Sequence, residues 1–329
     1  MIAPFLEHGL EPGLGLWTRH AAPDARLDLP ARVHAVTLAP GERSCVAVAR
    51  RPGRFGIAVD LARFERSAEF EASAGRHFFG HGVFAEEGRL FLTTENDSDA
   101  PRGLIGVREA TRGFRHVGEW ECGGVGPHDL ALSADGRSLL VANGGIDMSQ
   151  DFGRAKLNEG LIASTIARID LATGRLSTLV RLEPENASLS IRHLAVLDNG
   201  AVVFGCQETM RDGVTRPLVG VLDGADSVRW LSAPEGGWQT LAGYIGEVAV
   251  DGSGGTIAAT APLAGLCVTW NAATGNAGSS QALSDCCGLG GLDAGFVVTS
   301  GRGDLVEVGT GRAKRLEAPI GFDNHLAMA

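Results

Sequence analysis

Residues 76–84, Arg-His-Phe-Phe-Gly-His-Gly-Val-Phe, begin a pattern that recurs along the chain. His81 precedes an apolar run, an acidic turn with glycine follows at residues 86–88, and a second apolar run ends in residues 94–97, Thr-Glu-Asn-Asp. This order predicts a strand, a tight turn and a second strand, with a histidine at the start of the first strand. The same order begins at three more histidines, which are His34, His128 and His193.

The spacing of these units predicts a repeat architecture. His34, His81 and His128 follow one another at equal intervals, and the interval is close to the length of a four-stranded propeller blade. After His193, three further strand starts complete the series, namely Gly246-Glu247, Cys287-Gly288 and His325. The sequence therefore predicts an all-β fold, a seven-bladed β-propeller that forms a single domain over residues 1–329.

The two ends of the chain are expected to share the last blade. The chain continues for only a few residues after His325, so that blade needs strands from elsewhere. Residues 3–7, 13–18 and 25–29 have the pattern of three short strands. If these strands complete the blade that starts at His325, no strand edge is left open.

Composition excludes several classes of function. The 47 glycines are spread along the chain, as expected for many short strands and tight turns. The net charge of −10 and the absence of a basic stripe argue against nucleic-acid binding. We find no apolar run of about 18 residues that would span a membrane, and no export signal at the N-terminus. The six cysteines are too sparse for a disulfide scaffold. The adjacent pair Cys286-Cys287 has either a packing role or a role in redox chemistry or soft-metal binding.

The strand starts are expected to carry the function. In a propeller blade the first strand crosses the disc and the second returns, so the start of one and the end of the other lie on the same face near the central channel. Imidazole nitrogens suit transition metals, and we expect a site for iron or copper at this channel mouth. The predicted metal ligands are His34, His81, His128, His193 and His325. We expect His77, which is out of phase with His81, in a loop, and His116 at the surface.

Other polar side chains are expected at the same mouth. Glu95, Asp97 and Glu247 offer carboxylates that could complete a metal site. The other predicted ligand-binding residues lie at second-strand ends or beside a strand-start histidine, and they are Arg50, Asn96, Asn143, Arg192 and Gln207. The alternative is structural, with each histidine hydrogen-bonded inside its own blade.

Several motifs resemble one known family. They are Arg76-His77-Phe78-Phe79-Gly80-His81-Gly82, Thr94-Glu95-Asn96-Asp97, Gly124-Val125-Gly126-Pro127-His128, Ala142-Asn143-Gly144-Gly145-Ile146, Ser190-Ile191-Arg192-His193-Leu194-Ala195, Asp285-Cys286-Cys287-Gly288 and Phe322-Asp323-Asn324-His325. Together they look like the domain-of-unknown-function 1513 family, over nearly the whole chain. The resemblance implies a seven-bladed propeller of the YVTN/WD-like kind, export to the periplasm, and partners among imelysin-like or di-haem peroxidase-like proteins of iron uptake. It implies no catalytic residues.

Three classes of function therefore stay open. The leading interpretation is a non-catalytic protein that handles a metal ion or haem iron for an iron-uptake system. A protein-interaction scaffold is the second. A metal-dependent lactonase or hydrolase is the third, because propellers of that kind hold a metal with acidic and amide side chains, here Glu95, Asn96, Asp97 and Asn143. No nucleophile elbow, phosphate loop or dinucleotide motif occurs in a fitting context.

Overall fold

A computed structural model of the chain describes residues 1–7, 11–17, 23–146, 162–210, 212–224, 227–309, 315–317 and 320–328. Within these ranges the chain forms β-strands joined by turns and short 3-10 segments, without an α-helix. No helix in them is long and apolar enough to cross a membrane.

The strands form seven antiparallel sheets of four strands each. This arrangement confirms the predicted all-β, seven-bladed β-propeller. In chain order the strands are β1 Ile2–Glu7, β2 Glu11–Leu16, β3 Ala25–Asp28, β4 Val33–Leu38, β5 Ser44–Ala49, β6 Phe55–Asp60, β7 Glu65–Glu71, β8 Arg76–Ala85, β9 Leu90–Asp97, β10 Gly103–Glu109, β11 Arg115–Glu121, β12 Pro127–Leu132, β13 Ser138–Asn143, β14 Thr165–Asp170, β15 Arg175–Arg181, β16 Leu189–Val196, β17 Val202–Glu208, β18 Val219–Asp223, β19 Ser227–Trp230, β20 Glu247–Val250, β21 Thr256–Ala261, β22 Leu266–Asn271, β23 Ala277–Ala282, β24 Cys286–Gly291, β25 Phe296–Ser300, β26 Asp304–Val308, β27 Arg315–Glu317 and β28 Gly321–Phe322.

The N- and C-terminal strands share one sheet, as the sequence predicted. Its order is β28-β1-β2-β3. Phe5 of β1 pairs with Phe322 of β28, and an additional bridge joins Ile2 to Ala327. The three N-terminal strands lie within a few residues of the expected segments.

The chain divides into two compact units. One consists of Met1–Pro30 together with His193–Met328, and the other of Ala31–Arg192. The second unit contains three complete sheets, β4–β7, β8–β11 and β12–β15. The prediction of a single domain over residues 1–329 stays a prediction.

Each unit has its own apolar clusters between neighbouring sheets. In residues 31–192 one cluster joins the β4–β7 sheet to the β8–β11 sheet, with Val46 and Val48 on one side and Phe78, Phe84 and Phe91 on the other. A second cluster packs the β8–β11 sheet against the β12–β15 sheet. Strands of the middle sheet are therefore covered on both faces, which explains their nearly continuous apolar runs.

Candidate functional site

Three of the five strand-start histidines lie at β-bulges in residues 31–192. The pairing register shifts at His34 between β4 and β5, and at His128 between β12 and β13. Between β8 and β9 the shift is larger, because Phe78 pairs with Glu95 and the next paired residue on β8 is Gly82. A bulge inserts residues that lack a ladder partner and turns their side chains out of the normal alternation.

The bulges bring the three imidazoles together, and we call His34, His81 and His128 the three-histidine cluster. The ring centroids are 4.8 Å apart for His34 and His81, 5.4 Å for His34 and His128, and 5.2 Å for His81 and His128. One ring nitrogen from each residue lies within 4.8 Å of the others. This spacing is compatible with a single ion bound by three nitrogens.

Two of the rings are oriented through Nδ1. The Nδ1 atom of His81 lies 3.0 Å from Oδ1 of Asp129, and Nδ1 of His128 lies 2.8 Å from the carbonyl oxygen of Arg192. Asp129 Oδ1 also accepts a hydrogen bond from the backbone N–H of Leu130 at 2.7 Å. With Nδ1–H donating to these oxygens, Nε2 of each neutral ring carries the lone pair that a metal would take.

A glycine makes room for the cluster. Gly80 has φ +114°, and a Cβ at this position would lie 2.4 Å from Cβ of His34. Thr94 holds the neighbouring residue of the bulge, since its hydroxyl lies 3.3 Å from both the N–H and the carbonyl oxygen of His81. Gly80 and Thr94 therefore allow the bulge to form and His34 to approach it.

The cluster is largely removed from solvent. His81 is 6% exposed, His128 is 4% exposed, and His34 is half-buried. Histidine binds a metal through its neutral imidazole, in which one ring nitrogen carries a lone pair.

Comparison with known proteins places the whole arrangement in a family. The family model described as "Protein of unknown function (DUF1513)" matches residues 27–329. The chain belongs to the DUF1513 family. No curated protein matches it.

The unit of residues 1–30 and 193–328 contains the other two of the five strand-start histidines. The ring centroids of His193 and His325 are 4.9 Å apart. Nδ1 of His325 is in contact with Oε2 of Glu247, the first residue of β20. Within each unit the predicted histidines therefore come together. That all five surround one channel mouth stays a prediction.

Glu95 is oriented toward the interior of the sheets. Phe78, its partner across the ladder, belongs to the apolar cluster shared by the β4–β7 and β8–β11 sheets. Oε1 of Glu95 accepts hydrogen bonds from Arg108 at 2.7 Å and from the Thr93 hydroxyl at 2.8 Å. Both charged side chains of the ion pair are fully buried. Its observed contacts are those of a structural ion pair, and its ligand-binding role stays a prediction.

Asp97 lies at the end of β9 among arginines. Its Oδ2 is 3.3 Å from Arg76 and 3.1 Å from Arg102. The backbone N–H of Asp99, followed by these two arginines, holds the pKa of the Asp97 carboxyl below its usual value. Asn96 donates to the carbonyl oxygen of Asp97 at 3.0 Å. Asp97 is thus kept ionised by its neighbours.

The remaining predicted residues have mainly backbone or local contacts. Asn143 donates from Nδ2 to the carbonyl oxygen of Cys122 at 2.8 Å and to the Thr165 hydroxyl at 3.0 Å. Arg50 and Gln207 are half-buried at the ends of β5 and β17, and Gln207 forms a bridge with Tyr244. Arg192 contributes its carbonyl oxygen to His128, as described above.

Two parts of the site differ from the sequence expectations. Asp129, the carboxylate that orients His81, was not among the predicted site residues, although it directly follows His128 in the sequence. The expectation that His77 lies in a loop is wrong, because His77 is fully buried within β8. His116 is exposed, as expected.

Proposed function

We propose that the three-histidine cluster binds a transition-metal ion, with iron or copper as the candidates. The observation that carries this proposal is the orientation of the His81 and His128 rings, each with Nδ1 on an oxygen acceptor and with the ring centroids 5.2 Å apart. Metal-bound histidines usually donate their second ring N–H to a carboxylate or a backbone carbonyl, which fixes the tautomer and makes the other nitrogen a better ligand.

The donor set favours copper over iron. All three candidate donors are imidazoles, and affinity at such nitrogen sites rises from Fe²⁺ to Cu²⁺ in the usual order of divalent metals. Asp129 supplies one negative charge behind His81, which partly compensates the charge of a bound cation.

The proposal predicts metal binding that is lost in acid. A proton on a ligand nitrogen competes with the metal, so affinity is expected to fall as the pH drops through about 6.5, the ordinary imidazole pKa. Isothermal titration at several pH values between 5 and 8 would measure this dependence directly.

The test uses protein purified without a polyhistidine tag. Elemental analysis and titration with Cu²⁺, Zn²⁺ and Fe²⁺ should show bound metal in the wild type and its loss in His34→Ala/His128→Ala. His116→Ala is the matched control, because that imidazole is exposed. Unchanged metal affinity in the double variant, or no binding in the wild type, would refute the proposal.

Asp129→Asn separates a metal site from a packed histidine cluster. The variant keeps the size of the side chain but removes the charge behind His81, and loss of such a partner typically weakens metal binding by about 10–100-fold. The melting temperature of the metal-free protein is recorded in parallel. A lowered melting temperature with unchanged metal affinity means that Asp129 and the histidines only stabilise the sheets.

The cellular role is proposed from the family resemblance alone. We propose a periplasmic protein that serves iron uptake, with imelysin-like or peroxidase-like partners. Co-purification with such a protein from cells would support this role, and localisation of the full-length protein in the cytoplasm would contradict it.

The hydrolase alternative is tested by assaying the metal-loaded protein against a panel of lactones and phosphoesters. A scaffold without bound metal would still co-purify with partners.

A further inference from the structure

A second group of polar side chains is built in the unit of residues 1–30 and 193–328. It consists of His193 from β16, Glu247 from the start of β20, and His325, which follows β28. The two imidazole centroids are 4.9 Å apart. The His325 ring is held by the contact between its Nδ1 atom and Oε2 of Glu247.

The backbone around His325 is fixed on both sides. The N–H of Asp323 donates to the carbonyl oxygen of Pro4 at 2.9 Å, and the N–H of Ala327 donates to the carbonyl oxygen of Ile2 at 2.8 Å. His325 therefore lies between two anchor points on β1. Such a ring is positioned before any ligand arrives, which reduces the entropic cost of binding.

Gly288 in β24 allows the segment that carries His325 to pack closely against this strand. A Cβ at Gly288 would lie 2.6 Å from the Thr299 hydroxyl of β25, 3.0 Å from the carbonyl oxygen of Asn324 and 3.2 Å from the Leu326 side chain. A larger residue would push the segment away from β24 and carry His325 with it. The strand start at Cys287-Gly288 has no histidine. Its glycine nevertheless helps to place His325.

The chemistry of the group resembles that of the three-histidine cluster. His193 is 1% exposed and His325 is 6% exposed. With His325 Nδ1–H donating to Glu247, Nε2 of His325 carries the lone pair. Two neutral imidazoles with one carboxylate behind them have a net charge of −1, so a monovalent cation would leave little uncompensated charge in this buried position.

We infer that His193 and His325, oriented by Glu247, form a second metal-binding site that takes a monovalent, low-coordinate cation of the copper(I) class. Copper(I) forms stable complexes with only two nitrogen donors, and imidazole is among its protein ligands. A divalent ion would leave a positive charge in this buried position. The inference concerns this pair alone and does not depend on the proposed function of the three-histidine cluster.

The test uses silver(I), a redox-inert substitute for copper(I), in chloride-free buffer with tag-free, full-length protein. The accessible thiols among its six free cysteines are alkylated first, because thiols bind Ag⁺ more tightly than imidazoles do. Titration calorimetry should give two equivalents of Ag⁺ for the wild type. His193→Ala/His325→Ala should retain one equivalent, and His34→Ala/His128→Ala should retain the other. His116→Ala is the control for binding to a surface imidazole, and it should behave as the wild type does.

The remaining outcomes decide between this site and its alternatives. An unchanged Ag⁺ stoichiometry in His193→Ala/His325→Ala would overturn the inference. Loss of all binding in either double variant would also overturn it, because the histidines would then form one shared site. Loss of one equivalent only in His193→Ala/His325→Ala would support the second site while refuting the proposed function.

Glu247→Gln keeps the inference testable if the histidine variants fold poorly. This change retains the size of the side chain and removes its charge. We expect the affinity of one Ag⁺ equivalent to fall by about 10–100-fold, with the other unchanged. Equal affinities for both equivalents in wild type and Glu247→Gln would show that Glu247 does not orient a metal ligand.

Discussion

His77 shows how burial changes the chemistry of one residue. Its ring is fully buried and stacked on Phe79, with the centroids 5.7 Å apart. Burial, together with the positive charges of Arg51 and Arg54, lowers the pKa of the His77 imidazole from 6.5 to about 4. The folded protein therefore holds this histidine neutral near pH 7.

We predict that His77 makes the protein sensitive to mild acid. Because the folded-state pKa is lower than the unfolded-state value, protonation favours the unfolded chain. The stabilisation is complete above about pH 6.5 and is lost as the pH falls toward 4, by at most about 3 kcal/mol. His77→Gln should reduce the drop in melting temperature between pH 7 and pH 4.5, whereas His116→Gln should not. Identical drops in the wild type and His77→Gln would contradict this assignment.

The buried ion pair of Glu95 and Arg108 should lower the stability of the protein measurably when one of its partners is removed. Both side chains are fully buried, and the guanidinium carbon of Arg108 lies 5.2 Å from the Phe70 ring centroid and 5.1 Å from that of Phe78. Removing one partner leaves an uncompensated charge in an apolar setting. We expect Arg108→Met to lower the free energy of unfolding by about 3–5 kcal/mol.

Comparing a variant that lacks both Glu95 and Arg108 with Arg108→Met shows how much of the loss comes from the unpaired charge. Glu95→Leu/Arg108→Met removes both charges and should recover much of the stability lost in Arg108→Met, as measured by urea denaturation. The control is Arg115→Met, which breaks the exposed pair with Glu109 and should cost far less than Arg108→Met, because water screens an exposed pair. Similar losses for Arg108→Met and Arg115→Met would mean that the buried pair has no special cost.

At the level of elements, the bulge in β8 is the point where sequence-based prediction of side-chain positions stops working. The recurrence of histidine, apolar run and turn locates the strand starts, so His34, His81 and His128 were identified as neighbours. Side-chain direction, however, follows the strict alternation of a strand only up to a bulge. His77 lies within β8, which is buried before the bulge as well as within it, and spacing from His81 does not reveal this.

Glu95 illustrates the same limit on the neighbouring strand. Its place at the end of β9 suggested a channel-mouth ligand, whereas its register opposite Phe78 turns it toward the cluster between two sheets. The partner Arg108 comes from β10, and the sequence gives no local signal that the two residues meet. Pairing register is set by contacts over the whole sheet, so it could not be read from a short motif.

Gly80→Ala is expected to disrupt the bulge and the three-histidine cluster together. Its φ of +114° and the 2.4 Å approach to Cβ of His34 make a side chain both strained and obstructed. We expect a loss of about 1–3 kcal/mol from strain, with a further loss from the clash. Metal affinity should fall as well, because His34 must move.

Gly75→Ala is the matched control for that prediction. Gly75 also has a positive φ, +71°, but a Cβ there would meet no heavy atom within 4 Å. It should therefore show the cost of backbone strain without the clash, and it should leave metal affinity unchanged. Equal effects of Gly75→Ala and Gly80→Ala on stability and on metal binding would show that the close approach to His34 has no consequence.

At the scale of the whole molecule, the terminal sheet depends on residues that are far apart in sequence. β1 lies between β2 and β28, and it also holds the segment that carries His325. The C-terminal part of this sheet has only the two residues of β28, so its stability comes from the N-terminal strands. The N-terminus is therefore a structural element of the last blade and also a support for the His193–His325 pair.

Deletion of residues 1–7 should consequently affect both folding and binding. Without β1, the strands β2 and β28 lose their shared neighbour, and the exposed edges favour aggregation. We expect a lower melting temperature, a less cooperative transition and loss of the Ag⁺ equivalent assigned to His193 and His325. The equivalent assigned to residues 31–192 should persist in the fraction that stays soluble, because β1 contributes no strand to its sheets. A soluble truncated protein with the melting curve and the Ag⁺ stoichiometry of the wild type would contradict closure of the last blade by the two termini.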